Sequence, residues 1–355
     1  MEIKPYIVPK EAEIYEIHLG DLFSSPKIIY NEDEFKKLIE DLKSQGKGKE
    51  ALILTEQWVN IQKRFFKINY KGRFVDLGLK TAIMGILNIT PNSFYDGGQI
   101  SNVSEAVKRA EKMLDDGADI IDVGGESTRP GAEPVSEEEE INRVIPVIKE
   151  IRENLGEHFL ISVDTYKSKV AEMALEAGAD IVNDISGLGF DKDMVKVVAK
   201  YDCPVVINHI KGKPKNMQKK VYYNDVVAEI IDYFERRVEY ALENGVRKDR
   251  LIIDPGIGFG KKVEHNVEII KRFREFKVLG LPRLIGISRK SFIGAILENF
   301  MKGKGEYTPD KRLFGTLGAT AYAILNGANI VRTHDVRETR EFLVMIDTIR
   351  GYKVV

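Results

Sequence analysis

From about residue 82 onward, short runs of apolar and β-branched residues alternate with longer segments in which apolar residues recur at helical spacing. Each short run is apolar through its middle, as expected for a strand that is covered on both faces. The predicted strands cover residues 82–89, 119–123, 159–164, 180–183, 204–208, 251–254, 284–287 and 329–332. Eight strand–helix units in about 275 residues favour a TIM (β/α)8 barrel over a doubly wound sheet.

The segments between the strands predict helices. The clearest helix covers residues 224–244, where the apolar residues form one stripe, and Gly245 ends it as a C′ glycine. A short pattern, Gly-Ala-Asp or Asn followed by two β-branched residues, recurs at 117–121, 178–182 and 327–331. Each copy is typical of a helix end that leads into a strand.

The first 65 residues break this rhythm and predict a small N-terminal α+β extension of unknown role. Residues 4–19 are predicted to be extended, 33–44 helical and 51–55 a strand, with a loop at 45–49. Residues 66–76 predict a hairpin that turns at Lys71 and Gly72. The barrel domain, which includes this hairpin, is predicted to cover residues 66–355.

Composition narrows the classes of partner. Because 54 Lys and Arg residues face 55 Asp and Glu, the net charge is −1, which argues against nucleic acid or an anionic membrane as a partner. One cysteine and five histidines indicate neither a disulfide framework nor a structural zinc site. With neither a signal peptide nor a membrane-length apolar run, we expect a cytoplasmic protein whose metal, if any, is oxygen-bound.

Polar residues follow the apolar strands at all eight predicted ends. In chain order these residues are Asn88, Asp122 with Glu126, Asp164, Asn183, His209, Asp254, Ser288 with Lys290, and Arg332 with His334. Buried polar groups are costly unless they meet one another, water or a ligand. Since function in such barrels gathers at the C-terminal ends of the strands, we expect the active site there.

Two kinds of ligand chemistry are suggested by these residues. Arg129 in the loop after the second strand, with Arg332 and His334 after the last, suits a phosphate or diphosphate. The carboxylates of Asp164 and Asp254, with the amide of Asn183 between them in strand order, suit a flat heterocycle that presents an amino group and a ring N–H. Lys290 could then donate to the carbonyl of that ring.

Simpler structural roles stay open for several of these residues. Asp164 or Asp254 alone could cap a following helix, and Arg129 alone could form a surface ion pair. For His209 a packed, hydrogen-bonded ring is favoured over a metal ligand, and for Cys203 a core thiol over a nucleophile.

Two further motifs also favour structural roles. The acidic run at 137–140 is interpreted as a helix start, with Ser136 and Glu139 as a capping box. The glycines of 256–260 do not have the spacing of a nucleotide-binding fingerprint and predict a tight turn.

Seven motifs, in order, resemble those of the dihydropteroate synthase family across about residues 66–350. They are MGILNITPNSF at 84–94, GGESTRPG at 124–131, SVDT at 162–165, NDIS at 183–186, DPGIGFG at 254–260, SRKS at 288–291 and RTHD at 332–335. The resemblance implies a transferase that joins 6-hydroxymethyl-7,8-dihydropterin diphosphate to an arylamine and releases diphosphate, without a covalent enzyme intermediate.

The resemblance also implies roles for individual residues. By the resemblance, the pterin is bound by Asp164, Asn183, Asp254 and Lys290. Diphosphate binding falls to Asn88, Arg129, Arg332 and His334, with Asn88 also helping to hold a Mg²⁺ cofactor. The arylamine pocket falls to Thr128, Pro130, Phe259, Ser291 and, on the first loop, Phe94. Small-molecule substrates are the implied partners, and a homodimer is left open.

Departures from the family pattern bear on the acceptor. Asn92 stands where the family usually has Asp, and Asn208 where it more often has Met. With the extra N-terminal residues and a Lys- and Glu-rich composition, they favour the acceptor that the resemblance implies for archaeal relatives of the family. That acceptor is 4-(β-D-ribofuranosyl)aminobenzene 5′-phosphate, of tetrahydromethanopterin biosynthesis. The alternative is 4-aminobenzoate, the acceptor of folate biosynthesis. A pterin-dependent methyltransferase and a non-catalytic pterin-binding barrel are further alternatives.

Overall fold

A computed structural model of the protein describes residues 5–10, 14–19, 26–89, 99–219, 221–302 and 306–351, with side chains in the fourth range from residue 103. The chain divides into two compact units. The first contains Met1–Arg64 and Arg272–Leu281, and the second contains Phe65–Lys271 and Pro282–Val355.

The first unit is an antiparallel sheet with two helices. Its elements are β1 (Tyr6–Pro9), β2 (Tyr15–His18), β3 (Lys27–Ile29), α1 (Glu32–Ser44), α2 (Gly48–Gln62) and a 3-10 helix at Phe273–Leu279. The Trp58 ring stacks on Phe35 with ring centroids 4.2 Å apart, and the Tyr15 ring packs at a tilt against Trp58 with centroids 4.7 Å apart. Asn60 of α2 donates from Nδ2 to the carbonyl of Val278 at 2.8 Å.

The strand predicted at residues 51–55 is wrong, because these residues form part of α2. Buried positions in α2 include Ala51, Leu54, Trp58 and Ile61, which is helical spacing. A short, mainly apolar run of five residues fits either a strand or about one and a half turns of a buried helix. Only the spacing of apolar residues over a longer stretch distinguishes the two.

The second unit is the predicted barrel, preceded by its hairpin. Its strands are β4 (Phe66–Tyr70), β5 (Arg73–Leu77), β6 (Ala82–Asn88), β7 (Ile120–Gly124), β8 (Leu160–Asp164), β9 (Ile181–Asp184), β10 (Val205–Asn208), β11 (Leu251–Asp254), β12 (Leu284–Ile285) and β13 (Ile330–Thr333). Its helices are α3 (Gln99–Asp115), α4 (Glu137–Leu155), α5 (Ser168–Ala177), α6 (Met194–Tyr201), α7 (Val226–Glu243), α8 (Val263–Lys271), α9 (Ser291–Phe300), α10 (Leu313–Leu325) and α11 (Val336–Ile349).

Eight parallel strands form one sheet in which β6 pairs with both β7 and β13. The sheet continues from β7 to β11 in chain order, and β12 pairs with β13. A parallel bridge between Ile253 of β11 and Arg283, next to β12, brings the two ends of the sheet together. The predicted (β/α)8 fold is therefore confirmed, although the seventh strand is shorter than predicted.

One end of the barrel interior is filled by apolar side chains. Residues of the hairpin and of all eight strands share one buried cluster: Phe66, Ile68, Val75, Leu77, Ala82, Met84, Ile120, Leu160, Ile181, Val206, Ile252, Leu284 and Ile330. Because side chains alternate along a strand, inward-facing positions recur every second residue toward the opposite end. Those positions carry the polar residues described below.

Several local predictions are confirmed by the helices. The helix predicted at 224–244 is α7, and Gly245 follows it with a φ of +87°. Ser136 caps α4 by accepting a hydrogen bond from the amide of Glu139 at 3.1 Å. Within the described ranges, no helix combines the length and the apolar character that spanning a bilayer requires.

Candidate active site

A ring of polar side chains faces inward at the C-terminal ends of the strands. Asp122, Asp164, Asn183 and Asp254 each stand an even number of residues after an apolar residue of the buried cluster, so all four point into the barrel. Register supports this placement, since Asp164 lies opposite Asn183 on the adjacent strand. The pleat of the strands therefore assembles the candidate pterin residues from distant parts of the chain.

Arg332 joins two carboxylates at the centre of this ring. Its Nε donates to Asp122 Oδ2 and its Nη2 donates to Asp164 Oδ2, each at 2.6 Å. Asn183 also donates to Asp122 Oδ2, at 3.2 Å. Although burial opposes it, the charges of Asp122 and Asp164 raise the pKa of Arg332, so the guanidinium stays charged. In this arrangement Arg332 organises the candidate pterin pocket. The resemblance assigned this residue to the diphosphate and did not predict that role.

Two pKa values near neutrality mark this pocket. Burial raises the pKa of the Asp164 carboxyl to about 7, with Arg332 opposing the shift and the charge of Asp122 adding to it. Burial also lowers the pKa of the Lys290 ammonium to about 8, and the charge of Arg332 lowers it further. Between these values Asp164 accepts hydrogen bonds as a carboxylate while Lys290 donates as a cation. Such shifts are typical of functional sites.

Lys290 and Asp254 lie on neighbouring walls of the same pocket. Lys290 is the N-cap residue of α9, and its Nζ lies 4.5 Å from the centroid of the Phe259 ring. Asp254 accepts a hydrogen bond from the amide of Gly256 at 2.7 Å, and its burial raises its pKa. A Cβ on Gly258 would lie 3.4 Å from Lys290 Cδ, so the glycine turn of 256–260 gives the lysine room. This turn thus shapes the pocket.

His334 is held by Ser288 at the last strand. The Ser288 hydroxyl lies 2.9 Å from His334 Nδ1 and accepts a hydrogen bond from the His334 amide at 3.1 Å. Burial, together with the charge of Arg332, lowers the pKa of His334 to about 3. The imidazole is therefore neutral, and it would meet an anion as a hydrogen-bonding group and not as a cation.

Three of the candidate anion and arylamine residues, Thr128, Arg129 and Pro130, lie on the loop after β7. Thr128 is half-buried, whereas Arg129 and Pro130 are exposed, and Arg129 lies close enough to Lys290 to lower its pKa. Ser291 is also exposed, at the first turn of α9. Phe94 and Asn92, on the loop after β6, lie outside the described residues.

Asn88, at the end of β6, is the candidate metal ligand. A Cβ on Gly124 would lie 3.6 Å from Asn88 Oδ1 and 3.5 Å from Asp164 Cβ, so the glycine keeps space open beside this oxygen. Mg²⁺ prefers oxygen ligands and is commonly bound by one or two protein groups, substrate phosphates and water. In the described ranges, no group of three or more His, Cys, Asp or Glu side chains could hold a metal. The donors present fit an ion that is carried mainly by a diphosphate.

Two residues interpreted from the sequence have clear structural partners. His209 is buried, and its Nδ1 lies 2.9 Å from Nζ of Lys261, which also donates to the carbonyl of Phe259 at 3.0 Å. The packed, hydrogen-bonded interpretation of His209 is therefore confirmed. Asn208 donates to the carbonyl of Ile185 at 3.0 Å, which ties the end of β10 to the neighbouring loop.

Asp122 and Glu126 were predicted to lie at the active-site end of the second strand but without a specific role, and Lys261 was not predicted. Asp122 follows Ile120 by two residues, and that inward alternation was the available signal. Nothing in the local sequence marks Lys261, because its partner His209 lies 52 residues earlier, after β10.

Comparisons with known proteins identify the family. The sequence profile of the family described as "Pterin binding enzyme" matches residues 84–334. The dihydropteroate synthase of Synechocystis sp. (strain ATCC 27184 / PCC 6803 / Kazusa) is 43% identical over 274 residues, covering 77% of this chain and 92% of that protein. The dihydropteroate synthase of Escherichia coli (strain K12) is 42% identical over 287 residues, covering 81% of this chain and 98% of that protein.

Solved structures give the same result. The Yersinia pestis dihydropteroate synthase with a sulfonamide drug complex has a TM-score of 0.73 and 38% identity, covering 81% of this chain and 100% of that chain. The Xanthomonas albilineans dihydropteroate synthase with 4-aminobenzoic acid has a TM-score of 0.72 and 37% identity, covering 80% of this chain and 98% of that chain.

Proposed function

Because this chain belongs to the dihydropteroate synthase family of pterin-binding enzymes, we propose that it joins 6-hydroxymethyl-7,8-dihydropterin diphosphate to 4-aminobenzoate. The observation that carries the proposal is the pocket in which Arg332 links Asp122 and Asp164 beside Asn183 and Lys290. In such a pocket, fixed carboxylates, an amide and an ammonium are complementary to the polar edge of a pterin.

The choice of acceptor rests on the comparisons. The relatives named above are dihydropteroate synthases, and one solved neighbour was determined with 4-aminobenzoic acid. They favour 4-aminobenzoate over the phosphorylated ribosyl acceptor suggested by the composition and by Asn92 and Asn208. The product would then be dihydropteroate, in folate biosynthesis.

We assign the following roles to the residues of the pocket. Asp164, Asn183 and Asp254 orient the pterin, and Lys290 donates to its ring carbonyl. At the reacting carbon, the C–O bond to diphosphate breaks as the lone pair of the arylamine nitrogen forms the C–N bond, and the nitrogen then loses a proton. The charged Arg129 and the neutral His334 would stabilise the negative charge that develops on the departing oxygens.

A magnesium ion would add charge neutralisation on the leaving diphosphate. Asn88 Oδ1 is the protein ligand that we assign to it, beside the space that Gly124 leaves open. The arylamine would be surrounded by Thr128, Pro130, Phe259 and Ser291, and by Phe94 of the first loop.

Diphosphate release by the purified protein, with Mg²⁺ and the pterin diphosphate, tests this function. We expect kcat/KM with 4-aminobenzoate to exceed that with 4-(β-D-ribofuranosyl)aminobenzene 5′-phosphate by about tenfold or more, as a pocket shaped for the smaller acceptor would give. A sulfonamide should compete with 4-aminobenzoate, and chelation of Mg²⁺ should abolish release. Turnover with the phosphorylated acceptor alone would overturn the assignment.

We further propose that two copies of the chain associate through α9, α10 and α11. α10 packs against both neighbours, and the three helices expose large apolar side chains, namely Phe300, Phe314, Leu325, Met345 and Ile349. Phe314 is 86% exposed and Phe300 81%. Large apolar side chains exposed on neighbouring helices are a feature of interfaces between protein chains.

Sedimentation equilibrium should therefore give twice the mass of one chain. Phe314→Glu places a charge on the proposed contact and is expected to shift the protein to monomer. Leu52→Glu, at a position 71% exposed on α2, serves as the matched control and should leave the mass unchanged. A monomeric wild-type protein at micromolar concentration would contradict the proposal.

A further inference from the structure

Glu126, in the loop after β7, has a buried carboxylate with three hydrogen-bond donors. The Tyr166 hydroxyl donates to its Oε1 at 2.8 Å, while Lys167 Nζ and the Val135 amide donate to its Oε2 at 2.5 and 3.2 Å. Only 5% of the Glu126 side chain is exposed. A buried carboxylate with this many partners fixes its own loop to the segments that supply them.

Lys167 extends the network to α4. It pairs with both Glu126 and Glu140; although burial opposes the shift, the hydrogen bonds that its ammonium donates to these carboxylates raise its pKa. Glu140 is fully buried, and its Oε1 has no hydrogen-bond partner in the described part of the chain. Arg143 of α4 donates to the carbonyl of Gly125 at 2.6 Å. The base of the loop is thus anchored from two sides.

The position of this network relates it to the active site. Glu126 precedes Thr128 by two residues and Arg129 by three, and Lys167 follows Asp164 by three. One set of contacts therefore joins the loop that carries the anion-binding arginine to the strand end that carries a pterin carboxylate. None of Glu126, Tyr166, Lys167 and Glu140 was assigned to either substrate.

We propose that Glu126 is a positioning residue, which holds Arg129 at the distance from the pterin pocket that a diphosphate ester requires. The inference deepens the proposed function and rests on it for the identity of the two substrate groups. Glu126 does not touch the substrate in this proposal. It sets the affinity for diphosphate through the placement of its loop, while the pterin residues stay in place.

Tyr166→Phe tests this role with the smallest change. It removes the hydrogen bond to Glu126 Oε1 and keeps the ring, which packs edge-on against Phe190 with centroids 5.5 Å apart. We expect the calorimetric affinity for inorganic diphosphate with Mg²⁺ to fall by about tenfold, the usual effect of losing a hydrogen bond to a charged group. The affinity for 6-hydroxymethyl-7,8-dihydropterin, which lacks the diphosphate, should stay within about twofold of wild type.

Tyr201→Phe is the matched control, because the Tyr201 hydroxyl donates to Glu176 Oε1 at the same 2.8 Å on an exposed surface. It should change neither affinity. Glu126→Gln removes the charge from the same position and should weaken diphosphate binding at least as much as Tyr166→Phe. Thermal unfolding of each variant reports whether the fold is intact.

The outcomes separate the inference from the proposed function. A selective loss of diphosphate affinity supports the positioning role, whereas equal losses for both ligands, or no loss at all, overturn it. Failure of the wild-type protein to bind inorganic diphosphate also overturns it. Turnover with 4-aminobenzoate is measured separately on the wild-type protein, so the proposed function can fail while the diphosphate measurement still decides the inference.

Discussion

Replacing Lys290 with methionine is expected to lower kcat/KM for the pterin diphosphate by about 100-fold, since a buried hydrogen bond from a charged donor contributes about 1.5–3 kcal/mol. Methionine keeps the length of the side chain beside Phe259 and Gly258, so the pocket should retain its shape. Calorimetric titration with the pterin diphosphate, together with steady-state kinetics, measures the loss.

The pH dependence gives an independent measure of the same lysine. With its pKa lowered to about 8, Lys290 is charged below that pH and loses its proton above it. Wild-type affinity for the pterin should therefore decline above about pH 8, and the Lys290→Met variant should show no such decline. Asp164→Ala should also abolish binding, because it removes a candidate pterin-binding carboxylate that accepts a hydrogen bond from Arg332.

Lys196→Met provides a control for the loss of a positive charge. Lys196 pairs with Asp193 on the exposed face of α6, and this substitution should leave binding unchanged. Near-normal affinity in Lys290→Met, measured on a variant with a wild-type unfolding temperature, would contradict the pocket assignment.

The fold was largely predictable because the eight buried strands carry a strong local signal. Each strand is apolar through its middle and has polar residues at or shortly after its end, and these features do not depend on distant parts of the chain. Two short segments differ from the prediction. The run at 51–55 belongs to α2, and β12 ends at Ile285 because the chain turns toward Ser288 and Lys290 after it.

The residues of the candidate site were easier to predict than the hydrogen bonds between them. Asp164, Asn183, Asp254 and Lys290 were placed at strand ends from the sequence, and the structure brings them to one mouth of the barrel. The sequence could not show that Arg332 would bond to carboxylates on two other strands, because Asp122 lies 210 residues from it. Pairings of this kind depend on barrel closure.

Asp122 is consequently the residue whose substitution should reveal the most about the pocket. Its Oδ2 accepts hydrogen bonds from Arg332 and Asn183, and its Oδ1 is buried with no partner in the described part of the chain. Asp122→Asn keeps the shape and removes the charge. We expect kcat/KM to fall by about 30- to 100-fold, because the guanidinium and the amide both lose a charged acceptor that orients them.

The same substitution should also shift the acid side of the pH profile. The negative charge of Asp122 contributes to the raised pKa of Asp164, so neutralising Asp122 should lower that pKa. Asp164 would then ionise below pH 7, and the acid limb of kcat/KM should move to lower pH while the Lys290 limb stays near pH 8.

Asp202→Asn is the matched control, since Asp202 accepts from Arg250 Nη2 at 2.7 Å outside the candidate site. Asparagine also tolerates the positive φ of +48° at this position. The Asp202→Asn substitution should leave both limbs of the pH profile of kcat/KM unchanged. An acid limb that does not move in Asp122→Asn would mean that Asp164 titrates independently of Asp122, and this would contradict the expected coupling of the two carboxyl groups.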